Sequence, residues 1–178
     1  MARQRVLRTL AACAACVLVP ASAASAACSG AESAPSAATI SRAQNATLCL
    51  INEARSKRGL GELDSASALT RAAAAHSRDM VSHDFFSHTS PAGATMQQRI
   101  DRAGYFNGAS RWSAGETIAW GSGSLASPAA IVRSWLRSPP HRAILLQSKF
   151  DDVGIGIAIG APDGGDGATF TGDFGARG

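Results

Sequence analysis

The 178 residues carry 17 basic and 13 acidic side chains, and 46% of them are hydrophobic. That balance fits a folded domain and excludes a disordered polyelectrolyte. Arg3, Arg5 and Arg8 sit in the first ten residues with no acid beside them, so the rest of the chain is nearly neutral, with 14 basic against 13 acidic residues and no basic run. It therefore offers no electrostatic case for nucleic acid as a partner.

The chain opens with that basic start, then an apolar run from Leu10 to Val19, then the small-residue tract Ala21-Ser22-Ala23-Ala24-Ser25-Ala26-Ala27. This is the pattern of a cleavable secretory signal over residues 1–26, with two A-x-A-like cleavage sites. The apolar run is too short for a transmembrane helix, which needs about 20 residues, and no second run of that length follows. The expected location is secreted, extracellular or in the cell envelope. Cys13 and Cys16 leave with the signal. Cys28 and Cys49 remain, an even pair in an oxidising compartment, and a disulfide is the expected state. The alternative is a lipoprotein with Cys28 as the lipidated residue, although Ser25 stands where such a signal wants a larger aliphatic side chain. Residues 27–44, rich in Ser, Ala, Gly, Pro and Glu, read as an N-terminal linker, and residues 45–178 as one domain.

In that domain, Asn45 can cap a helix to about Arg58, with Leu48, Ile51 and Ala54 on one face. A second helix starts after Asp64 or Ser65, with Leu69, Ala72, Ala73, His76 and Met80 on its apolar stripe. His76 on that stripe reads as a core histidine. Residues 83–93 form a loop. Thr95 and Gln98 make a capping box for a third helix, which Gly104 closes. Residues 116–120 form a short strand. Ser127-Pro128 is a cap followed by a proline at the first helical position, and Pro139-Pro140 stops that fourth helix. Val153 to Ile159 alternates Val/Ile with Gly/Ala, and Ala168 to Phe174 alternates again, so the two read as an antiparallel pair across the turn 163–167. Helices mostly first and strands mostly last suit an α+β domain, a central antiparallel sheet covered by helices. Trp112, Trp120, Trp135, Phe85 and Phe86 read as core residues.

Three segments carry chemistry: Phe85-Phe86-Ser87-His88-Thr89-Ser90-Pro91-Ala92-Gly93, Ala114-Gly115-Glu116-Thr117, and Trp135-Leu136-Arg137-Ser138-Pro139-Pro140-His141-Arg142. Two imidazoles and a carboxylate are a minimum ligand set for zinc or another divalent ion with open positions. The same residues could do acid/base work without metal, or could tie loops together as structural hydrogen-bonders. No triad Asp accompanies Ser87 or Ser90, and no nucleotide-binding, zincin or hydrolase-elbow motif occurs.

Together with Leu48-Cys49-Leu50-Ile51-Asn52-Glu53-Ala54-Arg55, Ala75-His76-Ser77-Arg78-Asp79-Met80, Val153-Gly154-Ile155-Gly156 and Phe174-Gly175, these segments resemble the bacterial branch of the CAP superfamily, whose module is also called the SCP domain. The resemblance covers about Leu48 to Phe174. It implies an α-β-α sandwich and a central cleft with His88, Glu116 and His141, a set that holds a divalent metal in several members. Many eukaryotic members carry a second glutamate three residues after the helix tryptophan; here that cleft position is Ser138. The common Gly before the second histidine is Pro140, and Thr117 replaces the usual Asn after the glutamate. The reading that follows is a secreted CAP domain, leaning non-enzymatic. Its cleft binds a divalent metal (zinc or another, ligated by His88, His141 and Glu116) and an extracellular ligand such as a lipid, a peptide or a cell-wall component. The alternative is a metal-dependent hydrolase of peptide or cell-wall substrates.

Overall fold

The computed structural model describes residues 28–178. The signal sequence expected at 1–26 lies outside them. The described chain forms five α-helices: α1 (Ile40–Ser56), α2 (Ser67–Ser82), α3 (Met96–Arg102), α4 (Pro128–Arg137) and α5 (Pro139–Leu145). It also forms four strands, β1 (Asp64–Ser65), β2 (Trp112–Gly121), β3 (Asp152–Ile159) and β4 (Ala168–Arg177), and two short 3-10 turns at Ala37–Thr39 and Gly123–Ala126. The sheet order is β1-β3-β4-β2, parallel between β1 and β3 and antiparallel elsewhere. β2 is thus an edge strand.

Alternation along β3 decides the layering. Val153, Ile155 and Ile157 point to one face and join Ile51 of α1 and Ile131, Val132 and Trp135 of α4 in the main core. The indole of Trp135 is fully buried and donates to the Ile118 carbonyl at 3.2 Å. Gly154 and Gly156 point to the other face, where α2 lies directly on them. A Cβ at Gly154 would sit 2.0 Å from the Thr70 backbone nitrogen, and one at Gly156 2.1 Å from the Ala73 carbonyl carbon. Glycine here permits helix and strand backbones to touch. Helices therefore cover both faces, the α-β-α sandwich that the resemblance implies.

Several local expectations hold and others shift. The capping box of α3 has both halves, Thr95 Oγ1 accepting from Gln98 N and Gln98 Oε1 accepting from Thr95 N. Ser127 caps α4 with Pro128 following. α1 begins at Ile40, ahead of Asn45, because its first turns have a surface to pack on: Ala43 and Ala46 are buried, and Cys49 is joined to Cys28 with a Cα–Cα distance of 5.7 Å. Pro139-Pro140 ends α4 as expected but also begins α5, since a ring-fixed φ suits the first helical turn. Of the aromatic residues read as core, Trp135 is buried, whereas Trp112, Trp120 and Phe86 are 45%, 40% and 46% exposed. An edge strand leaves one flank of β2 without a neighbour, and Trp112 covers itself only by stacking on Phe106 at 4.2 Å. Asp152 starts β3 and accepts from the Tyr105 hydroxyl at 2.7 Å.

Arg55 joins the two helical ends of the main layer. It is 1% exposed, yet its guanidinium donates to the carbonyls of Gly61, Leu145, Gln147 and Phe150 at 2.8–3.2 Å. Leu145 is the last residue of α5, so Arg55 satisfies carbonyls that the helix end leaves unpaired. That fixes the helix on which His141 stands.

Candidate functional site: a histidine–glutamate pair over a buried carboxyl

Glu116 lies on β2 and faces the α2 layer, 4% exposed. Its Oε1 meets His88 Nδ1 at 2.7 Å and its Oε2 meets Arg99 Nη2 at 2.5 Å. Burial pushes this carboxyl up, but the His88 hydrogen bond and the Arg99 charge outweigh it, and the net shift is downward, so Glu116 is ionised. An ionised carboxylate only accepts. His88 Nδ1 must therefore carry its proton, which leaves Nε2 as the free ring nitrogen of a side chain that is 53% exposed.

His88 sits in the α2–α3 loop, and three contacts hold that loop. Buried His76 donates from Nε2 to the Ser87 carbonyl at 2.9 Å. Arg99 Nη1 donates to the carbonyls of His88 (3.0 Å) and Ala94 (2.9 Å). Ser90 and Ala94 close the loop tip, through Ser90 N to the Ala94 carbonyl and Ala94 N to Ser90 Oγ, both 3.1 Å. His76 thus behaves as the core histidine expected, and its burial lowers its pKa. Its position, however, also anchors the loop that carries His88.

His141 is the third residue of α5, and Ser138 is the hinge residue between α4 and α5, whose carbonyl receives the Arg142 amide at 2.8 Å. Burial, and second the nearby His88 charge, lower the pKa of His141, so its imidazole is neutral near pH 7. The structure thus joins His88 to Glu116 directly and puts His141 within electrostatic range of His88. It does not bring His88, Glu116 and His141 ligand atoms within 4.8 Å of one another as a three-ligand cluster. The one such cluster among the described residues is Cys28, Cys49 and Glu53, and its two sulfurs are joined in the disulfide. Ser138 adds no carboxylate, as its identity dictates.

Sequence reasoning missed Asp173 and Arg99. Asp173 is the cross-strand partner of Glu116 on one side and of Gly154 on the other. It is fully buried under α2, and neither oxygen has a donor if the group is ionised. Burial, then the charge of Glu116, raise its pKa well above the usual carboxylate range. As a neutral acid it has an acceptor beside it, the Glu116 carboxylate. The only sequence signal was Asp173 keeping step with Thr169 and Thr171 along β4, and that alternation names a face but not a neighbour.

Residues 48–174 match the family described as CAP: Cysteine-rich secretory protein family. The chain belongs to the CAP family. It is 33% identical over 119 residues to an uncharacterized protein of Bacillus subtilis (strain 168), YkwD, covering 67% of this chain and 44% of that one. It is also 33% identical over 115 residues to YlbC, an uncharacterized membrane protein of the same organism, covering 65% of this chain and 31% of that one. The chain thus spans less than half the length of these curated relatives. Among solved structures, it resembles an extracellular protein containing a SCP domain from Bacillus anthracis str. Ames, with TM-score 0.63 and 27% identity over 79% of this chain and 43% of that one. An outer surface protein from Borrelia burgdorferi shares the fold, with TM-score 0.61 and 24% identity over 74% of this chain and 90% of that one. Both of these CAP-fold structures are named as extracellular or surface proteins. No helix among the described residues is long and apolar enough to cross a membrane.

Proposed function

We propose that this CAP domain works outside the cytoplasm, binding a divalent metal through the imidazoles of His88 and His141 and offering the open side of that cleft to an extracellular ligand. The observation that carries the reading is the His88–Glu116 contact of 2.7 Å, with Glu116 anchored on its far side by Arg99. A carboxylate on Nδ1 fixes tautomer and ring orientation and makes Nε2 the better ligand. Both Glu116 oxygens are engaged, so Glu116 fits the role of orienting His88 and not that of a third ligand. His141 is neutral near pH 7, the form that ligates. A metal held this way would act as a Lewis acid.

The same engagement argues for binding over hydrolysis. A hydrolase would need Glu116 as a free base, whereas its two oxygens are taken and its pKa is lowered. The disulfide between Cys28 and Cys49 suits an oxidising compartment, and the two neighbouring structures with surface or extracellular names point the same way. Calorimetric titration with Zn2+ alone tests the metal site. Stoichiometric binding in the wild type, lost in His88→Ala/His141→Ala, is the expected result. Equal uptake by both proteins, or none by either, refutes the site.

A further inference from the structure

One hollow in the described chain lies away from His88, Glu116 and His141. It is a groove of about 560 Å³ at the far end of β2, between the 3-10 turn and the solvent side of α4. Its walls include Glu32, Trp120, Ser124, Leu125, Arg133 and Arg137. Neither His88, Glu116 nor His141 lines it.

Three independent features make this groove a built site. Trp120 is the next-to-last residue of the edge strand, and its indole is 40% exposed with nothing of the described chain stacked on it. A flat apolar ring left open beside polar groups suits a ligand ring face. Arg133 and Arg137 stand one helical turn apart on α4, both exposed, and neither forms an ion pair among the described residues. Two guanidinium forks one turn apart on a helix suit a carboxylate or phosphate. Glu32 lines the same groove on a tethered segment: the Ala31 carbonyl receives the Ala129 amide at 2.9 Å, and the Cys28–Cys49 disulfide fixes the segment before it. One acid and two arginines in the lining leave the groove net positive while supplying an acceptor for hydroxyl groups. Its volume lies within the range of small-ligand sites, about 300–1,000 Å³.

We propose that this groove binds an anionic saccharide: a sugar ring stacks on Trp120, its carboxylate or phosphate engages Arg133 and Arg137, and its hydroxyls donate to Glu32. A purely apolar ligand would leave two guanidinium groups and a carboxylate without partners, and an acidic peptide would leave the indole uncovered. The site is separate from the histidine cleft and stands whether or not that cleft binds metal.

The test is calorimetric titration of the full chain, in EDTA so that the cleft takes no part, with four probes. A glucuronic-acid disaccharide and glucose 6-phosphate distinguish the two anion types. Cellobiose lacks the anion, and triglutamate lacks the ring. One or both charged sugars should bind about tenfold more tightly than cellobiose and triglutamate, the effect of one charge-assisted fork of roughly 1.4 kcal/mol. Trp120→Ala should weaken that binding by about tenfold, with partial recovery in Trp120→Phe. Arg133→Gln/Arg137→Gln should abolish the preference for charged over neutral sugar. The circular-dichroism spectrum confirms that each variant is folded. Binding of cellobiose or triglutamate as tight as that of the charged sugars, no effect of Trp120→Ala, or no binding of either charged sugar at millimolar concentration overturns the proposal.

Discussion

Replacing Gly156 by alanine tests whether the contact between α2 and β3 is as close as the architecture requires. The added Cβ would lie 2.1 Å from the Ala73 carbonyl carbon, 2.2 Å from the Ala74 nitrogen and 2.4 Å from the Ala73 oxygen. These are helix backbone atoms, which have no rotamer to yield with. Restoring ordinary contact means lifting the middle of α2 by more than about 1 Å, and a gap of that size forfeits a quarter to a half of the dispersion energy along the interface. The buried row Leu69, Ala72, Ala73, His76, Ser77 and Met80 would all loosen. We expect a loss of about 3–5 kcal/mol, at or beyond the upper end of ordinary overpacking, out of a total stability of about 5–15 kcal/mol. The midpoint of thermal unfolding should fall by about 10 °C. Urea unfolding followed by circular dichroism measures the loss. Gly61→Ala is the control, because its Cβ would meet nothing within 4 Å, and it should change stability by less than about 1 kcal/mol. A Gly156→Ala protein within about 0.5 kcal/mol of wild type would show that α2 does not rest on the strand, and with that the account of how Asp173 is buried would fail.

Two further outcomes follow from the polar layer beneath α2. Arg99→Met strands the Glu116 carboxylate in the interior and should cost about 3–5 kcal/mol, of which a large part returns in Arg99→Met/Glu116→Gln; a single-variant loss under about 1 kcal/mol in urea refutes the buried ion pair. Asp173 is raised in the fold, so folding takes up a proton at pH values between its unfolded value of about 3.9 and its folded value, and its contribution to stability declines as pH rises across that span. Glu116, lowered in the fold, acts oppositely, contributing above its unfolded value of about 4.3 and losing that contribution as pH falls through its folded value. Asp173→Asn removes the first dependence, so its stability should gain on wild type by up to about 1.4 kcal/mol per pH unit as pH rises from about 3.9 towards the folded value of Asp173. Parallel stability curves for the two proteins would mean that Asp173 is ionised in the fold.

What the sequence disclosed was local. Thr95 with Gln98, and Ser127 with Pro128, announce helix starts because a cap is a contract between residues three apart. The same locality made Pro139-Pro140 ambiguous, since a proline pair that ends one helix is equally suited to start the next. The family motifs named His88, Glu116 and His141, but the Arg99 contact on the far side of Glu116 comes from α3, an approach that no spacing rule encodes. Asp173 was hidden for a related reason: its partner is fixed by the register of β2 on β4, a long-range choice. The exposure of Trp112 and Trp120 likewise depended on β2 being the edge of the sheet, which follows from topology and not from composition.

The clasp between Ser90 and Ala94 separates the α2–α3 loop into two mechanically distinct parts. On one side stand Ser87 and His88, fixed by His76 and Arg99. On the other lie Pro91, Ala92 and Gly93, all exposed, and all outside the anchoring contacts except the Gly93 amide, which reaches back to the Ser90 carbonyl at 2.8 Å. The tip is therefore free to drift in length and chemistry over evolutionary time while the imidazole keeps its place. It is the natural point at which this scaffold could carry an inserted segment or a reporter group close to His88.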